Sequence, residues 1–139
     1  MEYTMSQTQS QVHVPNAALW FGRVMSAVPA LFLLVDGAMK LVKPAVVVET
    51  TMQLGYPESV ITGLGIVLLL CTALYVVPQT AVLGAILVTG YLGGAVATHV
   101  RVGGDLFSVV FPVIVGALLW GGLLLRNPRL RALLPLQTD

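Results

Sequence analysis

Asp36 and Lys40 stand four residues apart in "VDGAMKLV", and His99, Arg101 and Asp105 follow one another in "ATHVRVGGD", each group at the end of a long apolar run. In a chain with only 9% charged residues, such side chains are where any chemistry would reside. On a helix the spacing of Asp36 and Lys40 puts both on one face, where pairing lowers the cost of carrying either charge into a membrane boundary. Two readings follow. One is an interfacial ion pair whose Lys40 ammonium reaches outward along its apolar stem. The other is a buried pair lining a polar pocket, with Asp36 the stronger site residue because its short side chain cannot reach the surface. His99 and Arg101, two apart, point to different sides of a continuous helix, so a site that uses both requires the helix to end between them. Gly103 and Gly104 just beyond provide for a helix end here. The plainer alternatives are a hydrogen-bonded interfacial histidine and an arginine on lipid phosphate. Asp105 directly precedes the next apolar run, where aspartate is a favoured N-cap, a role compatible with pairing to Arg101.

Metal or haem ligation is poorly served. The other histidine, His13, lies in the N-terminal stretch, and no second soft ligand sits near His99, so a metal site would need another subunit and none is assigned. The single cysteine, Cys71, excludes an intrachain disulfide and a CxxC motif; among its neighbouring leucines it reads as a small packing residue.

The elements that must position these side chains are set by composition. The 139 residues are 57% hydrophobic, with a mean hydropathy of +0.91, far from soluble domains, in which about a quarter of residues are charged. Four apolar runs, Leu19 to Leu41, Val60 to Val77, Thr80 to Val100 and Leu106 to Leu125, each approach the ~20 residues that cross a bilayer core as helix. They do not alternate apolar with polar residues as barrel strands do. The expected architecture is all-α, an integral membrane four-helix bundle over residues 19–126. It is preceded by a polar tail (1–18), expected to be disordered, and followed by a basic one (127–139). A signal peptide at the first run is disfavoured by its long polar leader and missing basic n-region.

"VPQT" (77–80) joins the second and third runs as an antiparallel hairpin, with Pro78 suited to a first helical turn. Between the first and second, residues 42–59 form a long connection. Pro44 can open a short helix ending at Gly55, while Val46, Val47 and Val48 argue against one, so helix and irregular segment both stand; an interfacial amphipathic piece is expected. Gly90 and Gly94 make a GxxxG that predicts close approach of another helix, within the chain or from a second copy in a homo-oligomer. Pro29 and Pro112 are candidate kinks that open space in the bundle. Four helices put both termini on one side with Arg23, Arg126, Arg129 and Arg131, against Lys40, Lys43 and Arg101 on the other. The positive-inside rule then predicts cytoplasmic termini and an outer face that gathers Asp36, His99, Arg101 and Asp105.

In order along the chain, "DGAMKLVKP", "LGYPES", "ALYVVPQTAVLGAILVTGYLGGAVATHVRVGGD" and "FPVIVGALLWGGLLLR" resemble the DoxX-like proteins, small bacterial four-span membrane proteins, from about Arg23 to Arg126. "GYLGGAVATHVR" is the most specific part. The resemblance implies a bacterial inner-membrane location and, through the wider DoxX group, an association with quinone-linked sulfur or thiol oxidation. In that setting His99 and Arg101 would donate hydrogen bonds to quinone carbonyls. Asp36 or Asp105 would exchange protons, with Lys40 beside them and Tyr56 and Tyr91 as aromatic walls. No flavin, nicotinamide or iron–sulfur fingerprint is present, so electrons would come from an oxidoreductase partner or a reacting thiol or sulfur compound. The alternatives are a non-catalytic membrane anchor or assembly module, transport through an oligomer, and a cofactor-independent enzyme using Asp36, His99 and Arg101 on a lipophilic substrate.

Overall fold

The computed structural model describes residues 14–134; His13 and most of the polar tail, residues 1–13, lie outside the described residues, as do residues 135–139. Among the described residues the chain forms six helices: α1 (Asn16–Val42), α2 (Ala45–Gln53), α3 (Ile61–Val76), α4 (Ala81–Arg101), α5 (Leu106–Arg126) and α6 (Pro128–Leu133). Short 3-10 turns at Glu58–Val60 and Pro78–Thr80 lead into α3 and α4. Helix α1 starts three residues ahead of the expected span, directly after Pro15, and α6 forms within the stretch expected as a C-terminal tail.

The chain stops and restarts where local chemistry demands it. Lys43 takes a left-handed conformation (φ 53°) and returns its N–H to the Met39 carbonyl at 2.9 Å, and the following Pro44 cannot extend α1. At the α3–α4 hairpin the Thr80 hydroxyl donates to the Leu74 carbonyl at 2.7 Å, satisfying one of the acceptors left open at the end of α3. Asn127 caps α6, accepting from Leu130 N–H at 3.2 Å, with Pro128 at the first position.

Helices α1, α3, α4 and α5 form a four-membered ring: each packs on its neighbours in the chain, and α5 closes against α1. The termini and the α3–α4 hairpin lie at one end, the α2 connection and the α4–α5 turn at the other. Only 28–33% of each spanning segment is buried inside the ring. The remainder is Trp20, Leu31, Leu70, Ile86, Val113 and similar side chains facing outward, which is the surface that lipid tails solvate.

With lipid as apolar as leucine, the helices associate through close packing and hydrogen bonds. Glycine supplies the close packing at three places. A Cβ on Gly122 of α5 would lie 2.8 Å from the Gly22 carbonyl of α1 and would overlap Ser26. A Cβ on Gly65 of α3 would lie 2.9 Å from the Gly37 carbonyl of α1, and one on Gly84 of α4 would overlap the Tyr75 backbone of α3. Buried Tyr75 adds the main polar tie: its hydroxyl is 2.7 Å from the Leu119 carbonyl and 2.8 Å from Ser26 Oγ. The carbonyl can only accept, so Tyr75 donates there and shares its oxygen with the Ser26 hydroxyl, joining α3, α5 and α1. On the α4–α5 seam Trp120 Nε1 donates to Thr89 Oγ1 at 2.8 Å.

Of the two contacts allowed by the GxxxG of α4, the one within the chain does not form. Positions for a Cβ on Gly90, Gly93 and Gly94 meet nothing within 4 Å, so no helix of this chain packs closely there. The close contact on α4 is at Gly84, one turn into the helix, and above it α3 and α4 leave room between them.

The Gly122→Ala substitution is expected to cost about 1–3 kcal/mol, as overpacking in a close-packed interior does, and to lower the thermal unfolding midpoint in detergent. Gly93→Ala, with open space at its Cβ inside α4, should leave the midpoint unchanged or raise it, since alanine is the better helix former. Equal midpoints for the two variants would show that the α1–α5 contact does not govern stability.

Candidate functional site

In the half of the bundle nearer α2 the four long helices line a partly open cavity of about 470 Å3. Its floor is apolar, built by Leu33, Leu92, Val115 and the buried Pro112. Phe32 of α1 and Phe111 of α5, in edge-to-face contact with centroids 5.2 Å apart, close one side. Tyr56, Leu64 and Tyr91 form another, toward α3 and α4. The roof is α2, which presents Val47, Thr50, Thr51 and Leu54. The three consecutive valines do not prevent a helix here. Thr50 and Thr51 return their hydroxyls to the carbonyls of Val46 and Val47 at 2.8 and 2.7 Å, so the residues that face a low-dielectric space carry no unmet polar group. The open choice for residues 42–59 is therefore resolved as a helix laid over the cavity.

Asp36 and Lys40 both line this cavity and form the one salt bridge found among the described residues, 2.5 Å from Nζ to Oδ2. The lysine does not reach outward. Its side chain is 14% exposed against 37% for Asp36, because its Cβ is pressed onto Gly65 at the α1–α3 contact. Lys40 is thus the more enclosed partner, the reverse of the ranking from side-chain length.

Helix α4 runs unbroken through His99 and Arg101, and the two side chains part. His99 lines the cavity; Arg101 is exposed and is not among the lining residues. The helix end lies beyond both. Gly103 is left-handed (φ 69°), Gly104 N–H bonds the His99 carbonyl at 2.8 Å and Gly103 N–H that of Val100 at 3.1 Å, the paired bonds of a Schellman motif. Arg101 instead sends Nη2 to the Leu54 carbonyl at 2.9 Å, a cation on the C-terminal end of α2. The requirement that the helix end between His99 and Arg101 is not met, and the two do not share the cavity.

Helix α2 ends in the same motif as α4. Gly55 is left-handed (φ 89°), its N–H bonds Met52 O at 2.9 Å, and Tyr56 N–H bonds Thr51 O at 3.3 Å. That turn drops Tyr56 into the cavity wall, where its hydroxyl is 3.0 Å from Thr98 Oγ1. Thr98 has already given its proton to the Gly94 carbonyl at 2.8 Å, so Tyr56 is the donor. Two bonds, from Arg101 of α4 to the Leu54 carbonyl and from Tyr56 to Thr98 of α4, thus hold the α2 roof down.

Asp105 stands outside the cavity. Its carboxylate caps α5, accepting from the Ser108 hydroxyl at 2.7 Å and the Ser108 N–H at 3.2 Å. Those hydrogen bonds, the hydroxyl's first, hold the carboxyl below the usual carboxylate range. No Arg101–Asp105 ion pair forms among the described residues.

The groups left free toward the cavity are few. Among the described residues the rings of His99 and Tyr91 make no side-chain hydrogen bond, and the Lys40 ammonium uses one of its three protons, on Asp36. Gly90 and Gly94 line the same space, and their missing side chains are part of its volume. Phe32, Phe111, Thr51 and Thr98 were not singled out in the sequence. Phe32 and Phe111 carried no signal beyond hydrophobicity, while the proximity of Phe111 to Pro112 was an available cue.

An integral membrane protein, helical throughout its described spans, with a partly open, polar-ended cavity in one half of the bundle is the class this fold and site define. The DoxX-like family matches residues 24–122, which take in α3 and α4 whole, most of α1 and α5, and every residue lining the cavity, and the chain belongs to that family. Neither a curated protein nor a solved structure matches the chain.

Arg101→Ala is expected to raise amide exchange in residues 45–54 while the four long helices keep their protection, because it removes a latch on α2 and nothing from the bundle. Unchanged exchange there would deny Arg101 that role. Asp105 generates a pH effect of definite sign. Its folded pKa is depressed, so its contribution to the α5 start is fully present above the unfolded value of about 3.9 and is lost as pH falls through the lower folded value. Exchange at Leu106–Val109, corrected for intrinsic rates, should rise in that window, and Asp105→Ala should show the rise at neutral pH already.

Proposed function

We propose that the cavity holds the aromatic head group of a quinone-type molecule, and that the chain serves a quinone-linked thiol or sulfur oxidation system of the bacterial inner membrane. One observation carries the reading: the hydrogen-bonding groups of Lys40, Tyr91 and His99 are free toward a cavity whose other surfaces are apolar and aromatic. Ligand sites of this kind combine an apolar lining with a few placed polar groups, in clefts of roughly 300–1,000 Å3. A quinone ring presents two carbonyl oxygens that accept and no group that donates, which suits an ammonium, a phenol and an imidazole.

The chemistry is a balanced exchange. Two thiols are oxidised to a disulfide, and the quinone takes their two electrons and two protons as quinol. The thiols belong to a partner subunit or a soluble substrate, since Cys71 is buried in the middle of α3. Lys40 and His99 stand where they hand protons to the ring oxygens, with Asp36 paired to the Lys40 ammonium. Arg101 keeps the roof closed and exchanges no proton with the ring. With Arg126, Arg129 and Arg131 clustered at the terminal end, the termini are cytoplasmic and the α2 end faces outward.

Titration of the purified protein in mild detergent with a tail-free naphthoquinone, followed by thermal stabilisation, tests the site. Binding is expected in wild type and about fivefold weaker in His99→Ala or Tyr91→Phe, the effect of losing roughly 1 kcal/mol of hydrogen bond. Asp105→Asn, which keeps the cap, should bind as wild type does. Equal affinity across all four proteins would remove the cavity from consideration as the quinone site.

A further inference from the structure

On the α3–α4 side the cavity wall has a second face. Tyr56, Leu64 and Tyr91 line the cavity and also line a shallow groove on the outside of the bundle. The groove continues over Ser59, Val60, Gly63 and Val67. From Ser59 to Val67 it follows the start of α3 for roughly 12 Å at helical rise, and Val60 and Val67 are exposed along it. Nothing lies within 4 Å of a Cβ position on Gly63, so the groove is open at its middle.

The other sides of the cavity are closed more firmly. Phe32 and Phe111 are in ring contact between α1 and α5, with Phe107 stacked beyond at 5.4 Å. Above, α2 is fastened by the Arg101–Leu54 and Tyr56–Thr98 bonds. Between α3 and α4 the backbones touch at Gly84 near the hairpin and separate above it, leaving three side chains as the barrier. Tyr56 is bonded to Thr98, whereas the Tyr91 hydroxyl has no partner among the described residues, so of the two tyrosines Tyr91, packed on the core, is the one that moves without breaking a hydrogen bond.

We infer that the ligand of this cavity is an amphiphile with an apolar chain, that it enters sideways from the bilayer between α3 and α4 past Tyr91, and that its chain rests in the groove beside Gly63 while its head occupies the cavity. The inference rests on the head-group reading above for the nature of the head and on the shared walls for the chain. It assigns Gly63, Val60 and Val67 to ligand binding, although none can take part in proton or electron transfer. It also makes the shape of the chain a determinant of affinity: an apolar chain gains little simply by leaving lipid for an apolar groove, so what it gains there depends on close packing.

Gly63→Phe fills the groove where space is open, and Val67→Trp fills it from its far end. Both are compared with wild type for a tail-free naphthoquinone, for the same ring bearing a short isoprenoid chain, and for molecules that co-purify and are identified by mass spectrometry. Unchanged melting midpoints confirm folding. The expected result is a tenfold or greater loss of affinity for the tailed quinone in both variants, with the tail-free one bound as in wild type. Equal binding of the tailed quinone by all three proteins overturns the groove and leaves the head-group reading standing. If wild type binds neither quinone but retains a chain-bearing amphiphile that Gly63→Phe loses, the quinone reading fails and the groove is upheld. If nothing binds and nothing co-purifies, or if only bulk lipid is found in equal amount in all three, both fall.

Discussion

The bundle depends on where its backbones touch. Lipid gives helices no hydrophobic reason to associate, so cohesion comes from places where two main chains approach closely enough for dispersion and hydrogen bonding to outweigh lipid contact. Here these are Gly22 against Gly122, Gly37 against Gly65 and Gly84 against Tyr75. Their distribution is uneven. The first and third, with the Tyr75–Ser26–Leu119 hydrogen bonds, gather the terminal half into a tight unit. Toward α2 only the α1–α3 contact persists, and the cavity is the space that the missing contacts leave.

That asymmetry decides what happens to charge. The α1–α3 contact at Gly65 takes the Lys40 Cβ against helix α3 and carries the ammonium into the cavity, where Asp36, one turn earlier on the same helix, is its counter-charge. A lysine free to extend would reach the interface; one pinned at its Cβ beside a cavity is held where a low dielectric makes its partner matter more. Helix α2 belongs to the same logic. Its threonines bond their own backbone, its Schellman turn sends Tyr56 into the wall, and Arg101 covers an open carbonyl at its end. Each of these removes a polar cost from a roof that lies over an apolar space.

Much of this was legible in the residues and some was not. Four spans, their hairpin at Pro78 and the Asp105 cap follow from length, hydropathy and local capping rules, which depend on a few neighbouring residues, and all appear as expected. The Asp36–Lys40 pair followed from helical spacing; its direction did not, because that is set by Gly65, twenty-five residues away from Lys40. Of the two contacts the GxxxG allowed, the one within the chain does not form, for a related reason. Small residues permit close approach without requiring it, and whether they pack or leave a void depends on the facing helix. His99 and Arg101 were correctly seen to diverge on a continuous helix, but the helix end was placed by the flanking glycines only to within a turn, since Gly103 at C′ leaves Arg101 helical.

The segment "GYLGGAVATHVR" then acquires a single physical sense. Gly90 and Gly94 withhold side chains from the cavity, Tyr91 and His99 present polar groups to it, Thr98 anchors Tyr56, and Arg101 holds the end of α2. With 3.6 residues per turn, positions 90, 91, 94, 95, 98 and 99 recur on one stripe of α4, and all six line the cavity. Gly93 falls off the stripe, and Arg101, on its angle but at the last position of α4, turns to the Leu54 carbonyl; neither lines the cavity. A stripe evolved for helix packing alone would place its glycines against a neighbour's backbone, as Gly84 is placed. This one leaves Gly90 and Gly94 facing open space and sets the side chains of Tyr91 and His99 beside it.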